Sequence, residues 1–325
     1  VEDFEMHGAL VTREDLKDLK TVWYDPLEST YRGYTFYANI PPSGGPFKLE
    51  TLNILEGFNL RDLGWNTPEY LDIVARIMNV ALADRFLYSV DPIYDVESMN
   101  NARMLISKDY AAKMINMIMT GKDKDYPAPN VAPYDEGTTH IATLDDEGNC
   151  VSMKHSTGTT DGFYGRVMVP GVGIPLNNFM RLCTLYVGHR RTRSSGFGPR
   201  MKPRGGGSPT LGFKDGRLFS ASGSPYGQYG YMCEVQALIN IIDFGFRVQA
   251  AISSPRIYSG IHKGEIVVEP SFPYPYPWKN LEAMGHTIRV SPHSGRVSIL
   301  TIDPVTGYVD VGTDHRGGGG LARED

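Results

Sequence analysis

Residues 138–157 carry the sequence TTHIATLDDEGNCVSMKHST, in which two runs of strand-forming residues flank the polar turn DDEGN. A second stretch, SPTLGFKDGRLFSAS at 208–222, has the same organisation and turns at Asp215-Gly216, a dipeptide typical of tight hairpins. A further hairpin is predicted for strands at 296–303 and 307–312, which meet at DPVTG. Successive hairpins of this kind predict antiparallel sheets.

Helical spacing dominates the first 120 residues and returns after the second hairpin. Apolar residues recur at helical intervals in segments that begin with helix-starting residues such as Thr12, Pro68 and Ser107. Helices are therefore predicted at 13–20, 49–60, 68–87, 107–121, 228–243 and 278–284, and further strands at 31–41, 264–269 and 286–291. The combination predicts an α+β fold with layered antiparallel sheets and helices outside them.

The composition excludes several classes of protein. Of 325 residues, 41% are apolar and 21% are charged, which is typical of neither a disordered chain nor a coiled coil. The net charge of −5 argues against a general nucleic-acid partner, and no apolar run is long enough to span a membrane.

The three cysteines and eight histidines follow no metal-binding spacing, so neither a metal nor another cofactor is expected. The compartment stays unassigned, and because the chain begins with Val1, we expect its natural start to lie upstream.

Glycine is over-represented, with 36 residues where an average composition of about 7% would give fewer. Three clusters stand out: GGG at 205–207, GSPYG at 223–227 and GGGG at 317–320. None has the sequence of a phosphate-binding loop, so each is either a turn or a backbone held close to a ligand. GSPYG is the best candidate for the second role, because it lies between a predicted strand and a predicted helix, where free amides can bind an anion.

Two polar segments also have a functional interpretation. The proline-rich segment 122–137 predicts a flexible linker that ends where the strand at Thr138 begins. The basic segment 190–204 contains Arg190, Arg191, Arg193, Arg200, Lys202 and Arg204. It is either a solvated loop or a funnel for an anionic substrate.

The order of the motifs resembles the γ-glutamyltranspeptidase family over nearly the whole chain. TTHIATLDDEGNCVSMKHSTGTT is similar to the start of that family's small subunit, and the resemblance continues through GVGIPLNN, KPRGGGSPTLGFKDG, SASGSPYG, IDFGFRVQAAISSPRI and LEAMGH. Upstream, LVTREDL, YRGYTFYANIPPSGG, LNILEGF and ADRFLYSVDP are similar to the end of the large subunit.

The resemblance implies an N-terminal-nucleophile hydrolase with a four-layer αββα sandwich. Residues 1–137 would form the C-terminal part of the large subunit and end in the flexible linker. Residues 138–325 would form the small subunit, and the two together would make one domain. The family's precursor cuts itself before a threonine, which by position places the cleavage between Gly137 and Thr138. A long N-terminal portion of the large subunit would then lie outside this sequence.

The implied chemistry is physically sensible. A threonine hydroxyl is a poor nucleophile without a nearby base, and a freed α-amine with a pKa near 8 can serve as that base. Thr138 would supply both groups. Ser156 matches the family threonine whose hydroxyl hydrogen-bonds the nucleophile, and Tyr226 and Gly227 match the two glycines whose amides form the oxyanion hole. Tyr226 keeps the N–H but adds bulk and restricts the backbone.

The residues that hold a glutamyl group in the family are replaced. Gly158 stands for an asparagine, Phe179 and Leu182 stand for the glutamine and aspartate that hold the α-amine, and Gly205 and Gly206 stand for the serines that hold the α-carboxylate. Each lost charge-assisted bond is worth roughly 1.5–3 kcal/mol. We therefore expect a pocket that is more apolar at Phe179 and Leu182 and roomy at 205–207. A carboxylate-binding role for Arg204 is a further expectation.

These observations lead to a self-processing amide hydrolase or acyltransferase that acts through an acyl-enzyme on Thr138, with a small-molecule amide substrate that is not γ-glutamyl. Two alternatives stay open: a true γ-glutamyl hydrolase or transpeptidase similar to glutathione hydrolase, and an uncleaved or inactive homologue. Large and small subunits from one precursor are the expected partners, nucleic acid and a membrane span are not expected, and a homo-oligomer stays open.

Overall fold

The structure is a computed structural model. It describes residues 1–6, 8, 10–127, 138–158, 168–171, 173, 176–179, 199–225, 227–260, 262, 264–272, 277–291, 295–317 and 319–321. The helices are α1 Glu2–Met6, α2 Arg13–Asp18, α3 Gly45–Leu55, α4 Leu60–Leu63, α5 Pro68–Tyr88, α6 Glu97–Leu105, α7 Lys108–Met119, α8 Gly227–Ile242, α9 Val248–Ser253 and α10 Trp278–Ala283, with a 3₁₀ turn at Lys122–Asp125.

A six-stranded antiparallel sheet forms the centre of the fold. Its strands are β1 Leu27–Tyr31, β2 Tyr34–Ala38, β5 Thr210–Lys214, β6 Arg217–Gly223, β10 Ser298–Ile302 and β11 Val309–Gly312, and they lie side by side in that order. The strands β1 and β2 come from the first 137 residues, and β2 pairs with β5 from Tyr34 opposite Lys214 to Ala38 opposite Thr210. Both parts of the chain therefore contribute to one sheet.

Helices cover one face of this sheet. The helix α3 packs on β1 and β2, α8 packs on β6, and α9 packs on β10 and β11. The helix α3 is buried along its whole length, including the charged residues Lys48 and Glu50, because α5, α6, α7 and α8 all lie against it. A three-stranded sheet made of β7 Ile257–Ser259, β8 Glu265–Val268 and β9 Thr287–Val290 completes the core beside α5 and α8.

The opposite face carries a hairpin of β3 Thr138–Leu144 and β4 Cys150–Ser156, which packs on β6 and β10. Side chains on a strand alternate between its two faces. Here five polar residues turn inward, toward the six-stranded sheet: Thr138, His140, Ser152, Lys154 and Ser156. Ile141, Val151 and Met153 stay exposed on the outer face. The described residues thus supply a helix layer, a sheet and the hairpin of a second sheet, and an apolar outer face of this kind is typical of a sheet that packs against a further layer.

Most predicted elements agree with the structure, and the differences have local causes. The predicted strand at 31–41 is a hairpin, because Arg32 and Gly33 both take positive φ and turn the chain. The predicted helix at 49–60 begins at Gly45 instead, because Pro46 fits the first turn of a helix, and it ends at Leu55. The helices α1, α4, α6 and α9 were not predicted.

The described residues bear on the predictions about a membrane span, a metal site, the cysteines and two polar segments. None of the helices among them is long and apolar enough to cross a membrane, and in the same residues no group of three or more acidic, histidine or cysteine side chains could hold a metal. Cys150 and Cys233 are free thiols. Linker residues 128–137, with Gly137, lie outside the described part of the chain, as does the basic segment from 190 to 198.

Candidate active site

The structure brings Thr138 and Ser156 together. They face each other across the β3–β4 hairpin, and the Thr138 hydroxyl donates a hydrogen bond of 2.9 Å to the Ser156 Oγ. The Ser156 Oγ also accepts a hydrogen bond of 3.1 Å from the Gly158 amide. Because strand alternation turns both side chains toward the six-stranded sheet, the pair lies between the two sheets rather than on the outer surface.

Gly158 holds a position that a side chain cannot occupy. Its φ is +118°, and a Cβ added there would overlap the carboxamide of Asn178. The backbone amide of Asn178 donates a hydrogen bond of 3.0 Å to the Thr157 carbonyl, and this bond links the segment around Asn178 to the end of β4. Asn178 was not singled out from the sequence. Its signal was present in the motif GVGIPLNN, but only the fold brings its carboxamide to the place that a longer residue at 158 would fill.

Phe179 follows Asn178 and is partly buried, with its amide donating to Asn177 Oδ1 at 3.1 Å. Phe179 thus places an aromatic side chain where the family resemblance would lead one to expect a glutamine. Leu182, the second residue expected there, lies outside the described residues.

The segment GSPYG has the predicted placement between strand β6 and helix α8. Gly227 is the first residue of the 16-residue helix and has a φ of +55°. The N-terminus of a helix carries a partial positive charge and unpaired amides, which suit a developing oxyanion. Tyr226 lies outside the described residues. The helix start is close to the β3–β4 hairpin, because a Cβ at Gly223 would overlap the His140 ring on β3.

The glycine strip, residues 205–207, is held by the segment that precedes α3. The Gly205 amide donates to Pro42 O at 3.0 Å, and the Gly207 carbonyl accepts from the Gly44 amide at 3.1 Å and from the Ser43 hydroxyl at 2.5 Å. Two glycine- and proline-rich clusters that are far apart in sequence thus dock on each other.

Room at the strip is limited to Gly205. A Cβ added at Gly205 would meet nothing within 4 Å, whereas one at Gly206 would overlap the backbone of Gly227 and one at Gly207 would overlap the side chain of Lys154. The glycines at 206 and 207 therefore allow close approach of the α8 N-terminus and of a lysine, and the roomy pocket expected along the whole strip is not there. The contact between Gly206 and Gly227 joins the strip to the helix start.

Arg204 and Arg85 lie behind the strip. Arg204 is only 7% exposed, and its guanidinium stacks on the Phe86 ring at 4.1 Å from the ring centroid. Arg85 donates from Nη2 to the Gly205 carbonyl at 2.5 Å. The Arg204 side chain is thus packed into the protein, and its carboxylate-binding role remains an expectation.

His140 is held by hydroxyl groups on both of its ring nitrogens. Nδ1 lies 2.5 Å from Ser298 Oγ, and Nε2 lies 2.8 Å from Ser152 Oγ, which itself donates to the Ser222 carbonyl. Burial, with the nearby cations of Lys48 and Lys154, lowers the pKa of His140 to about 4. The ring is therefore neutral near pH 7 and fixes the hairpin on the sheet.

Two lysines approach the site from different sides. Lys48 on α3 forms a fully buried ion pair with Glu234 on α8 and donates to Ser222 Oγ at 3.3 Å. Lys154 lies on β4, two residues before Ser156 and on the same inward face, and burial next to Arg85 lowers its pKa to about 7. Neither lysine was singled out from the sequence. The alternation of Ser152, Lys154 and Ser156 with outward apolar residues was the available signal for Lys154.

A cavity of about 380 Å³ opens beside Thr138. It is lined by residues from the start of β3, by Pro225 of the GSPYG segment, by β10 and β11, and by Gly317, Gly319, Gly320 and Leu321. Thr138 and the residue before the expected oxyanion amides thus face one space, which is a concave site of the size that small ligands use.

Comparison with known proteins agrees with this geometry. Residues 1–323 match the family described as Gamma-glutamyltranspeptidase. The chain belongs to the γ-glutamyltranspeptidase family. Among its relatives, the glutathione hydrolase proenzyme of Escherichia coli (strain K12) is 31% identical over 315 residues, which cover 93% of this chain and 53% of that protein. The acylase ACY 1 proenzyme of Pseudomonas sp. (strain SE83) is 29% identical over 326 residues, covering 98% and 56%.

The fold is shared with solved members of the group. The crystal structure of cephalosporin acylase from Bacillus halodurans superposes with a TM-score of 0.76 at 26% identity and covers 96% of this chain and 55% of that one. This match, with the mixture of helices and sheets, confirms the predicted α+β fold of the N-terminal-nucleophile hydrolase type. The chain spans about half the length of the curated relatives that it matches.

Proposed function

We propose that this γ-glutamyltranspeptidase-family protein is a self-processing amide hydrolase or acyltransferase whose nucleophile is Thr138. The observation that carries the proposal is the 2.9 Å hydrogen bond between Thr138 Oγ1 and Ser156 Oγ at the first residue of β3. It is supported by the names of the relatives, which are called glutathione hydrolase proenzyme and acylase proenzyme.

The proposed reaction begins with cleavage of the Gly137–Thr138 bond, which frees the amine of Thr138. Thr138 Oγ1 then attacks the carbonyl carbon of the substrate amide while that amine takes the hydroxyl proton. Amides at the start of α8, including that of Gly227 and of Tyr226 before it, would stabilise the oxyanion. The C–N bond breaks and the leaving amine takes the proton, which leaves an ester on Thr138. Water, or an acceptor amine, then releases the acyl group.

The substrate is proposed to be an amide other than a γ-glutamyl compound. The positions that correspond to the family's glutamyl-binding residues hold Gly158, Phe179, Leu182, Gly205 and Gly206, none of which offers a charged or hydroxyl partner. The likeness to a cephalosporin acylase, over 96% of this chain and 55% of that one, supports an acylase reaction of this broader kind.

Thr138→Ala tests the nucleophile, and Thr143→Ala is its matched control. Thr143 is a threonine on the same strand, but it is exposed on the outer face and does not line the cavity beside Thr138. We expect the Thr138→Ala protein to stay in one piece and to form no acyl adduct, while the control is cut and active. Intact-mass spectrometry measures both outcomes. Amidase activity retained by Thr138→Ala would show that the nucleophile is wrongly assigned.

The γ-glutamyl alternative is favoured by the relatives named glutathione hydrolase. Release of p-nitroaniline from γ-glutamyl-p-nitroanilide at a rate equal to or above that from uncharged acyl anilides would support it against our proposal. A single uncut species that no amide acylates would instead favour the inactive homologue.

A further inference from the structure

The inward face of β4 presents a cation beside the nucleophile. Thr138 pairs with Ser156, and Lys154 precedes Ser156 by two residues, so Lys154 is the diagonal neighbour of Thr138 on the same face of the hairpin. Diagonal neighbours across an antiparallel pair lie roughly 7–8 Å apart. A side chain at 154 can therefore reach a group carried by a substrate that is bonded to Thr138.

The end of this side chain lies against the glycine strip. A Cβ at Gly207 would overlap Lys154 from Cδ to Nζ, so the ammonium occupies space that any other residue at 207 would take. Gly206 beside it contacts Gly227 at the start of α8. Lys154 Nζ is thus placed between the nucleophile hairpin, the strip and the proposed oxyanion amides.

The surroundings leave this ammonium without a carboxylate of its own. The part of the chain that the structure describes provides no hydrogen bond or ion pair to Lys154 Nζ. Arg85 and Lys48 add positive charge nearby, and Glu234, the carboxylate that acts electrostatically on Lys154, is already paired with Lys48. The Lys154 side chain is partly buried. Removing a cation from water without a partner is costly, and an anionic ligand would lower that cost.

We propose that Lys154 binds a carboxylate carried by the acyl group of the substrate, so that the preferred substrates are amides of dicarboxylic acids. This inference rests on the proposed function. It explains both changes in the glutamyl site. The serines that hold the α-carboxylate in the family are replaced by Gly205 and Gly206, and Lys154 would bind the carboxylate in their place. The partners of the α-amine at Gly158, Phe179 and Leu182 are lost with no cation-binding replacement.

The test compares matched p-nitroanilides with the processed protein. Glutaryl-p-nitroanilide carries the acyl carboxylate, pentanoyl-p-nitroanilide lacks it, and γ-glutamyl-p-nitroanilide adds the α-amine. We expect the highest kcat/KM for the glutaryl compound. In Lys154→Met the ratio of kcat/KM for glutaryl over pentanoyl should fall roughly thirtyfold, in line with loss of one charge-assisted bond. Lys154→Arg should keep the ratio within about threefold, and Lys279→Met, an exposed lysine on α10, is the control.

The pH dependence gives a readout that a purely structural lysine would not change. The groups around Lys154 are Arg85 on α5, Lys48 on α3, Glu234 on α8 and His140 on β3. Because the pKa of Lys154 is lowered to about 7 by burial, the glutaryl-to-pentanoyl ratio should fall as pH rises through that value. In Lys154→Arg the ratio should stay flat, because a guanidinium does not titrate in this range.

Three results would overturn the inference. The first is an equal loss on both acyl groups in Lys154→Met, and the second is a ratio that does not change with pH. The third is a Lys154-dependent preference for a carboxylate on the leaving amine, measured with pentanoyl-4-aminobenzoate. Failure of the proposed function is distinguishable from all three, because the protein would then stay uncut and no anilide would acylate Thr138.

Discussion

At the scale of single residues, the site depends on how closely backbone segments approach one another. Thr138 and Ser156 are 18 positions apart, and their hydroxyls meet because the hairpin register places them in one pair. The hydroxyl that the family resemblance expects at Ser156 is there, although it belongs to a serine. What the resemblance did not reveal is that Asn178 fills the space beside Gly158.

Gly158 should therefore not accept the asparagine that the family resemblance would place there. Gly158→Asn adds a Cβ that overlaps Asn178 and forces a non-glycine residue to a φ of +118°, a backbone cost of about 1–3 kcal/mol before the overlap is counted. We expect a lower urea midpoint and slower self-cleavage.

The matched control for that change is Gly171→Asn. Gly171 also has a positive φ, of +77°, but no atom lies within 4 Å of its Cβ position. Gly171→Asn should lower the urea midpoint only by the cost of placing a non-glycine residue at a positive φ. Equal effects of the two substitutions would contradict the proposed steric role of Asn178.

At the scale of elements, the β3–β4 hairpin has an unusual polarity. Its inward face carries the hydroxyls of Thr138, Ser152 and Ser156 together with His140 and Lys154, while Ile141, Val151 and Met153 are exposed on the outer face. The polar face is stabilised by specific partners, such as the hydroxyls of Ser298 and Ser152 on the His140 ring. The consequence is a polar layer between two sheets, which is where the proposed chemistry takes place.

Helices α3 and α8 are joined beneath this layer by the ion pair of Lys48 and Glu234. Lys48→Met leaves the Glu234 carboxylate buried without its partner, and we expect a loss of about 3–5 kcal/mol in the free energy of unfolding. The double variant with Glu234→Leu should recover most of that loss, because both charges are then gone. Urea unfolding of the uncut Thr138→Ala background measures the three values.

The exposed pair of Arg200 and Asp18 is the control for this cycle, and Asp18→Asn should change the urea midpoint little. A double variant whose loss equals the sum of the two single losses would show that the buried charges do not act as a pair.

At the scale of the whole molecule, the expected cleavage point does not divide the fold. The six-stranded sheet takes β1 and β2 from one side of residue 138 and four strands from the other. Buried polar contacts also cross this boundary, such as the 2.6 Å hydrogen bond from the Tyr31 hydroxyl to Asp243. A cut in the linker would therefore leave the core intact.

We expect the two fragments, 1–137 and 138–325, to remain associated after self-cleavage. They should elute together from a native size-exclusion column and separate only in denaturant, at the same urea concentration at which the helical circular dichroism signal is lost. Separation of the fragments under native conditions would contradict a shared core. The uncut Thr138→Ala protein provides the reference elution position.

The sequence by itself determined the local elements and the family. Hairpin dipeptides such as Asp215-Gly216, caps such as Thr12 and helical spacing depend on neighbouring residues only, so they could be predicted without the fold. The order of the motifs likewise indicated Thr138 as the proposed nucleophile. Only the tertiary structure decided that Lys154 lies against Gly207, that Asn178 fills the space at Gly158, and that Lys48 pairs with Glu234. These contacts join segments distant in sequence, and their free energy comes from burial and exclusion of water, which exist only once the sheets and helices have packed.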